Sequence, residues 1–90
     1  MLNIEYSSKF IKIVKKLPVD KQVKLADLIV LLSKNPFHQK LHSKQLSGKL
    51  IGFYSFRITR EWRVIFQFIS SKNIKLLLVG QRKNIYKKSI

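Results

Sequence analysis

Between Phe53 and Phe68 the chain alternates. In the first arm Tyr54, Phe56 and Ile58 stand on one parity and Phe53, Ser55, Arg57 and Thr59 on the other. In the second arm Trp62, Val64, Phe66 and Phe68 are set against Arg63, Ile65, Gln67 and Ile69. Residues two apart on a strand share a face, so the stretch reads as two half-buried strands joined by a tight turn. The core takes Tyr54, Phe56 and Ile58 together with Trp62, Val64, Phe66 and Phe68. For both sets to face the same way, the loop must hold an odd number of residues, such as Thr59-Arg60-Glu61, or a strand must bulge. A two-residue loop at Arg60-Glu61 places Arg63 beside Ile58 in the core, where an unpaired cation is costly. The odd loop is therefore expected. It gathers Arg57 and Arg63 on one concave, solvent-facing side.

The flanking segments follow the same logic. Leu2, Ile4 and Tyr6 alternate with polar positions and suit an opening strand. Ser7 or Ser8 then caps a helix in which Phe10, Ile11, Ile13, Val14 and Leu17 recur at helical spacing, and Pro18 is expected to stop it. Asp20 is expected to cap a second helix running to about Lys34, with Val23, Ala26, Leu28, Ile29, Val30, Leu31 and Leu32 as a broad apolar face, ended by Asn35-Pro36. The helix lysines read as its solvated face. Phe37 to Lys49 is irregular, a basic surface loop with a turn at Gly48. After a second turn at Ser70-Ser71-Lys72-Asn73, Ile74 to Val79 is apolar except for Lys75 and fits a strand buried on both faces. Gly80 ends it, and Arg82, Lys83, Tyr86, Lys87 and Lys88 form a basic tail. The order β-α-α-β-β-β makes a single α+β domain over residues 1–90: an N-terminal strand and a two-helix hairpin packed on a three- to four-stranded, mainly antiparallel sheet.

Composition narrows the function. A hydrophobic share of 46% argues for a folded domain rather than a disordered one, despite the charge. No run approaches the roughly 18 apolar residues of a membrane span. The cluster from Leu25 to Leu32 is short and interrupted by Asp27, and Met1 to Glu5 lacks the pattern of a signal peptide. The chain has no cysteine, which excludes disulfides and thiolate chemistry, and a cytoplasmic protein is expected. Net charge is +15, and from Lys34 onward the only acid is Glu61. A one-signed field over half a small domain attracts polyanions. Nucleic acid leads the candidates, an acidic protein follows, and an anionic membrane surface comes third; a solvated, lysine-rich surface is the bland alternative.

Arginine suits phosphate because its planar fork gives two parallel bonds and stays charged. Placed where charge develops on phosphorus, such donors stabilise a transition state. Arg57 and Arg63 share a face in this reading, Arg82 follows the neighbouring strand, and Tyr86 offers a ring for a base or a hydroxyl for a sugar. His38 and His42 are four apart, the spacing of a metal pair on a helix, but nothing supplies a third ligand, so no metal or other cofactor is expected.

These residues resemble the RelE/ParE superfamily of bacterial toxins, in its RelE/HigB/YafQ-like branch, over nearly the whole chain. The likeness rests on the helical hairpin and three short blocks in order: Leu46-Ser47-Gly48-Lys49-Leu50-Ile51-Gly52-Phe53-Tyr54-Ser55-Phe56-Arg57-Ile58, Glu61-Trp62-Arg63-Val64-Ile65-Phe66, and Leu78-Val79-Gly80-Gln81-Arg82-Lys83-Asn84-Ile85-Tyr86. The resemblance implies the toxin of a type II toxin–antitoxin system that enters the ribosomal A site and cuts messenger RNA without a metal. The ribose 2′-hydroxyl attacks the adjacent phosphate, leaving a cyclic phosphate and a 5′-hydroxyl. By position it implies catalytic roles for Arg63, Arg82 and Tyr86. Arg57 matches a phosphate-contacting position, and Arg60, Gln81, Lys83 and Lys49 complete the RNA- and phosphate-binding candidates. Gln81 departs from the histidine or lysine of many relatives; glutamine can position a phosphate or base but cannot shuttle a proton. Other branches inhibit DNA gyrase, so a gyrase inhibitor and a non-catalytic antitoxin- or RNA-binding homologue remain as alternatives. The implied partner is an acidic antitoxin whose partly disordered segment orders on the basic face, giving a toxin–antitoxin hetero-oligomer, with no membrane partner.

Overall fold

The computed structural model describes residues 1–87; Lys88 of the basic tail lies outside them. The chain runs β1 (Asn3–Tyr6), α1 (Ser8–Val14), α2 (Val19–Lys34), a 3₁₀ turn (Gln39–Leu41), β2 (Lys44–Gln45), a second 3₁₀ turn (Gly48–Leu50), β3 (Tyr54–Arg57), β4 (Trp62–Ser70), β5 (Asn73–Gln81) and α3 (Arg82–Ile85). The strands form one five-stranded sheet in the order β1-β5-β4-β3-β2. Only the β1–β5 pairing is parallel; the other three are antiparallel. The architecture is the α+β class that the element order predicts, with one strand more than anticipated. The extra strand, β2, comes from the segment read as a basic loop and is two residues long.

The first helix begins where its serine predicts. Ser7 accepts from the Phe10 N–H at 3.0 Å, and its own hydroxyl donates to the Leu77 carbonyl at 3.0 Å. One side chain thus satisfies a free helix donor and a β5 carbonyl. That carbonyl sits at an irregularity, because Ile65 pairs with Leu78 while Phe66 pairs with Leu76, which leaves Leu77 as the extra residue of a bulge. The junction between the helices differs from expectation. The first helix stops at Val14, ahead of Pro18, and Pro18 occupies the cap position of the second. The φ of Pro18, −53°, is close to helical, and its carbonyl accepts from Lys21 and Gln22 at 3.0 and 3.1 Å. Asp20 lies inside the first turn instead of capping it. There its carboxylate meets Lys21 at 3.0 Å, a hydrogen bond that holds its pKa below the ordinary carboxylate value.

Two apolar layers sandwich the sheet. The larger unites Phe10 and Leu17 with Leu25, Leu28 and Leu32 of α2, and with Phe56, Val64, Phe66, Ile74, Leu76 and Val79 of the sheet. The α2 stripe is narrower than the sequence suggests, since Val23 and Val30 face solvent, 60% and 52% exposed. One face of a helix this long meets the sheet through positions three and four apart, and Leu25, Leu28 and Leu32 fill that line. The smaller layer lies on the other face, where Ile65 and Leu78 meet Leu46 and Ile85. Strand β5 is therefore buried on both sides, as its apolar run indicates.

Candidate functional site

The hairpin closes through the odd loop that parity demands. Arg57 pairs with Arg63, and the Ile58 N–H donates to the Trp62 carbonyl at 2.9 Å, which leaves Thr59-Arg60-Glu61 as the turn. The Trp62 N–H donates to Thr59 Oγ1 at 3.3 Å. The Arg82 N–H donates to the Glu61 carbonyl at 2.6 Å, tying α3 to the turn. Two guanidinium groups thus share one face in adjacent strands. The Nε atoms of Arg57 and Arg63 are both buried without a hydrogen-bond partner. Arg63 is not solvent-facing as expected; it is 4% exposed, and its Nη2 reaches the Arg60 carbonyl only at 3.5 Å. The reason is the second apolar layer. Alternation assigns Arg63 the face of Ile65, and that face is roofed by Leu46 and Ile85 rather than open to water. Both Nε atoms are closed to solvent, so their unpaired state is a cost carried inside the fold.

A cavity of about 530 Å³ is lined by Lys24, Lys40, His42, Arg57, Ile58, Thr59, Arg60 and Arg82. Five of these are cations, one is an imidazole, and none is a carboxylate. The volume lies in the range of pockets that take nucleotide-sized ligands. Three contributors, Lys24, Lys40 and His42, come from segments whose sequence reads as solvated helix or surface loop. Lys24, exposed on α2 beside the buried Leu25, reaches the lining from the helix side. His42 closes the first 3₁₀ turn in the left-handed conformation, φ 50°, donating its backbone N–H to Gln39. That reversal brings it to the cavity and away from His38. Instead of pairing with it, His38 accepts from the Lys40 N–H through Nδ1 at 3.1 Å. Among the described residues, no three His, Cys, Asp or Glu side chains gather as a metal site would need.

No family model matches the chain, and no curated protein matches it either. Solved structures do. YafQ from E. coli superposes with a TM-score of 0.78 over 96% of this chain and 99% of its own, at 23% identity. The YoeB/ParE toxin from Agrobacterium tumefaciens gives 0.77 over 90% and 99%, at 19% identity. The toxin–antitoxin complex RelBE2 from Mycobacterium tuberculosis gives 0.76 over 90% and 98%, at 19% identity. The chain has the RelE/ParE toxin fold.

Within this RelE/ParE fold the predicted site residues separate into three places. Arg57, Arg60 and Arg82 line the cavity together, with Arg63 buried beside Arg57 on the neighbouring strand. Tyr86 stands on the same sheet face one step along: its hydroxyl lies 3.4 Å from Ser55 Oγ, and Lys44 Nζ sits 5.7 Å from its ring centroid. It borders a smaller groove of about 180 Å³ with Lys44, Ser47 and Leu50. Gln81 joins neither group. It is the register partner of Trp62 and lies in a groove with Lys16 and Asn84, on the other face of the sheet. Lys49 and Lys83 are exposed and outside the cavity lining. No helix among the described residues is long and apolar enough to cross a membrane.

Proposed function

We propose that this protein is the toxin of a type II toxin–antitoxin pair and cuts messenger RNA on the ribosome by metal-free attack of a ribose 2′-hydroxyl. The cation-lined cavity, with its single imidazole and no carboxylate, is the observation that carries the proposal. Arg57, Arg60 and Arg82 grip the scissile phosphate and balance the charge that builds on its oxygens, while Lys24 and Lys40 hold flanking phosphates. Arg63 contributes through its field, a buried cation paired across the strands with Arg57. His42 is the lining group suited to take the 2′-hydroxyl proton. The 2′-oxygen then bonds phosphorus, the bond to the 5′-oxygen breaks, and that oxygen is protonated from solvent. The products are a cyclic phosphate and a 5′-hydroxyl. Tyr86, next to Lys44, stacks a neighbouring base.

The similar fold of RelBE2, solved as a toxin–antitoxin complex, supports an antitoxin partner. Charge specifies its chemistry: an acidic segment laid over the basic cavity. The test is induced expression followed by mapping of RNA 5′ ends, wild type beside Arg82→Ala and His42→Gln. Cuts inside translated messages are expected, falling by about 10²- to 10⁴-fold in His42→Gln. Growth arrest with intact messages and a DNA-damage response indicates gyrase instead, and no effect at all indicates a binding homologue.

A further inference from the structure

The groove beside Trp62 and Gln81 has no part in the chemistry just described, yet it is built of residues that recognise flat, polar rings. Its volume is about 240 Å³, and Trp62, Ile13, Leu17, Lys16, Gln81 and Asn84 line it. Trp62 is half-buried and packed on the main core, so its indole is held in place as one wall. Gln81 and Asn84 are exposed at the rim, and neither carboxamide has a side-chain partner among the described residues. Lys16 adds one cation beside them.

We propose that this groove is a nucleobase subsite, with adenine preferred, for a nucleotide of the same RNA strand whose phosphates occupy the cavity; it rests on the nuclease reading above. Size favours a single ring system, since the groove falls below the roughly 300 Å³ at which pockets for larger ligands begin. An indole wall offers stacking, which every base accepts. The two carboxamides supply the selectivity. Each presents a donor and an acceptor side by side, the pairing that Asn and Gln make with adenine's amino group and neighbouring ring nitrogen. Lys16 takes the attached phosphate.

Position links the two sites. Gln81 of the groove adjoins Arg82 of the cavity in sequence, and Trp62 follows the turn whose Thr59 and Arg60 line the cavity, so the two sites border the same end of the β4–β5 pair. A single strand lying along that edge places phosphates in the cavity and a splayed base in the groove. Gln81 thereby acquires a role as a base reader instead of a phosphate ligand, which glutamine's chemistry suits.

The chain has one tryptophan, so its fluorescence reports on this groove alone. The purified protein is titrated with AMP, GMP, CMP and UMP, and with ribose 5-phosphate as the base-free control, correcting for absorbance. A saturable change with AMP at the lowest concentration is expected, with none from ribose 5-phosphate. Asn84→Ala, checked for folding by circular dichroism, should raise the AMP half-saturation by roughly tenfold. Absence of a saturable response, equal responses to all four nucleotides, tighter binding of another base, or an unaltered response in Asn84→Ala overturns the proposal. The titration needs no cleavage, so failure of the nuclease reading leaves its result intact.

Discussion

If the cavity is where RNA phosphates bind, salt should reveal it. Lys24, Lys40, Arg57, Arg60 and Arg82 are the cations of its lining. Each phosphate neutralised on a single strand contributes about 0.7 to the slope of log K against log salt, through release of condensed counterions. With all five engaged, the slope from the cavity is roughly −3.5, and a fourfold rise in salt weakens binding by roughly a hundredfold. Arg82→Ala should flatten the slope by about 0.7, and the Arg57→Ala, Arg82→Ala pair by about 1.4. The assay is fluorescence anisotropy of a short labelled single-stranded RNA over a salt series. The control is Lys72→Ala, an exposed cation in the β4–β5 turn, distant from the lining. If Lys72→Ala flattens the slope as much as Arg82→Ala, the affinity comes from the diffuse charge of +15 and not from the cavity, and the assignment fails.

Arg63→Met should leave the protein as stable or up to about 4 kcal/mol more stable in urea unfolding, because a buried cation with an unpaired Nε is replaced by an apolar chain, while cleavage falls. A loss above about 2 kcal/mol shows that Arg63 has a structural acceptor and refutes the point. Ser7→Ala should cost about 1–2 kcal/mol, since it removes both the α1 cap and the bond to Leu77; a thermal midpoint equal to wild type contradicts that double role.

Legibility in the sequence followed the strength of local constraint. The three-residue turn at Thr59-Arg60-Glu61 was readable because only an odd loop sets Phe56 and Ile58 on the same face as Val64 and Phe66. The cap at Ser7 was readable from residue type alone. The junction at Pro18 was not, because proline suits the start of one helix as well as the end of another, and only the packing of Leu17 and Leu25 against the sheet decides between them. Burial of Arg63 escaped for a related reason: alternation says which face a residue takes, not whether a distant segment such as Ile85 will cover that face. The cavity's histidine was hidden by a single left-handed residue. Helical spacing would have set His42 beside His38, and a φ of 50° sends it elsewhere.

The place of β5 has a consequence for synthesis. It is the last of the five strands in sequence, yet it lies between β1 and β4, and the bond from Ser7 to Leu77 spans 70 residues. While the chain emerges, β1 has no neighbour to pair with, and the β3–β4 hairpin lacks its inner partner. Arg82 follows β5 directly, so the cationic lining is completed only after that final strand has inserted. The sheet therefore closes only when its last strand inserts between β1 and β4, a long-range step whose loop-closure entropy slows it. A partly made chain therefore carries neither the finished sheet nor the finished cavity.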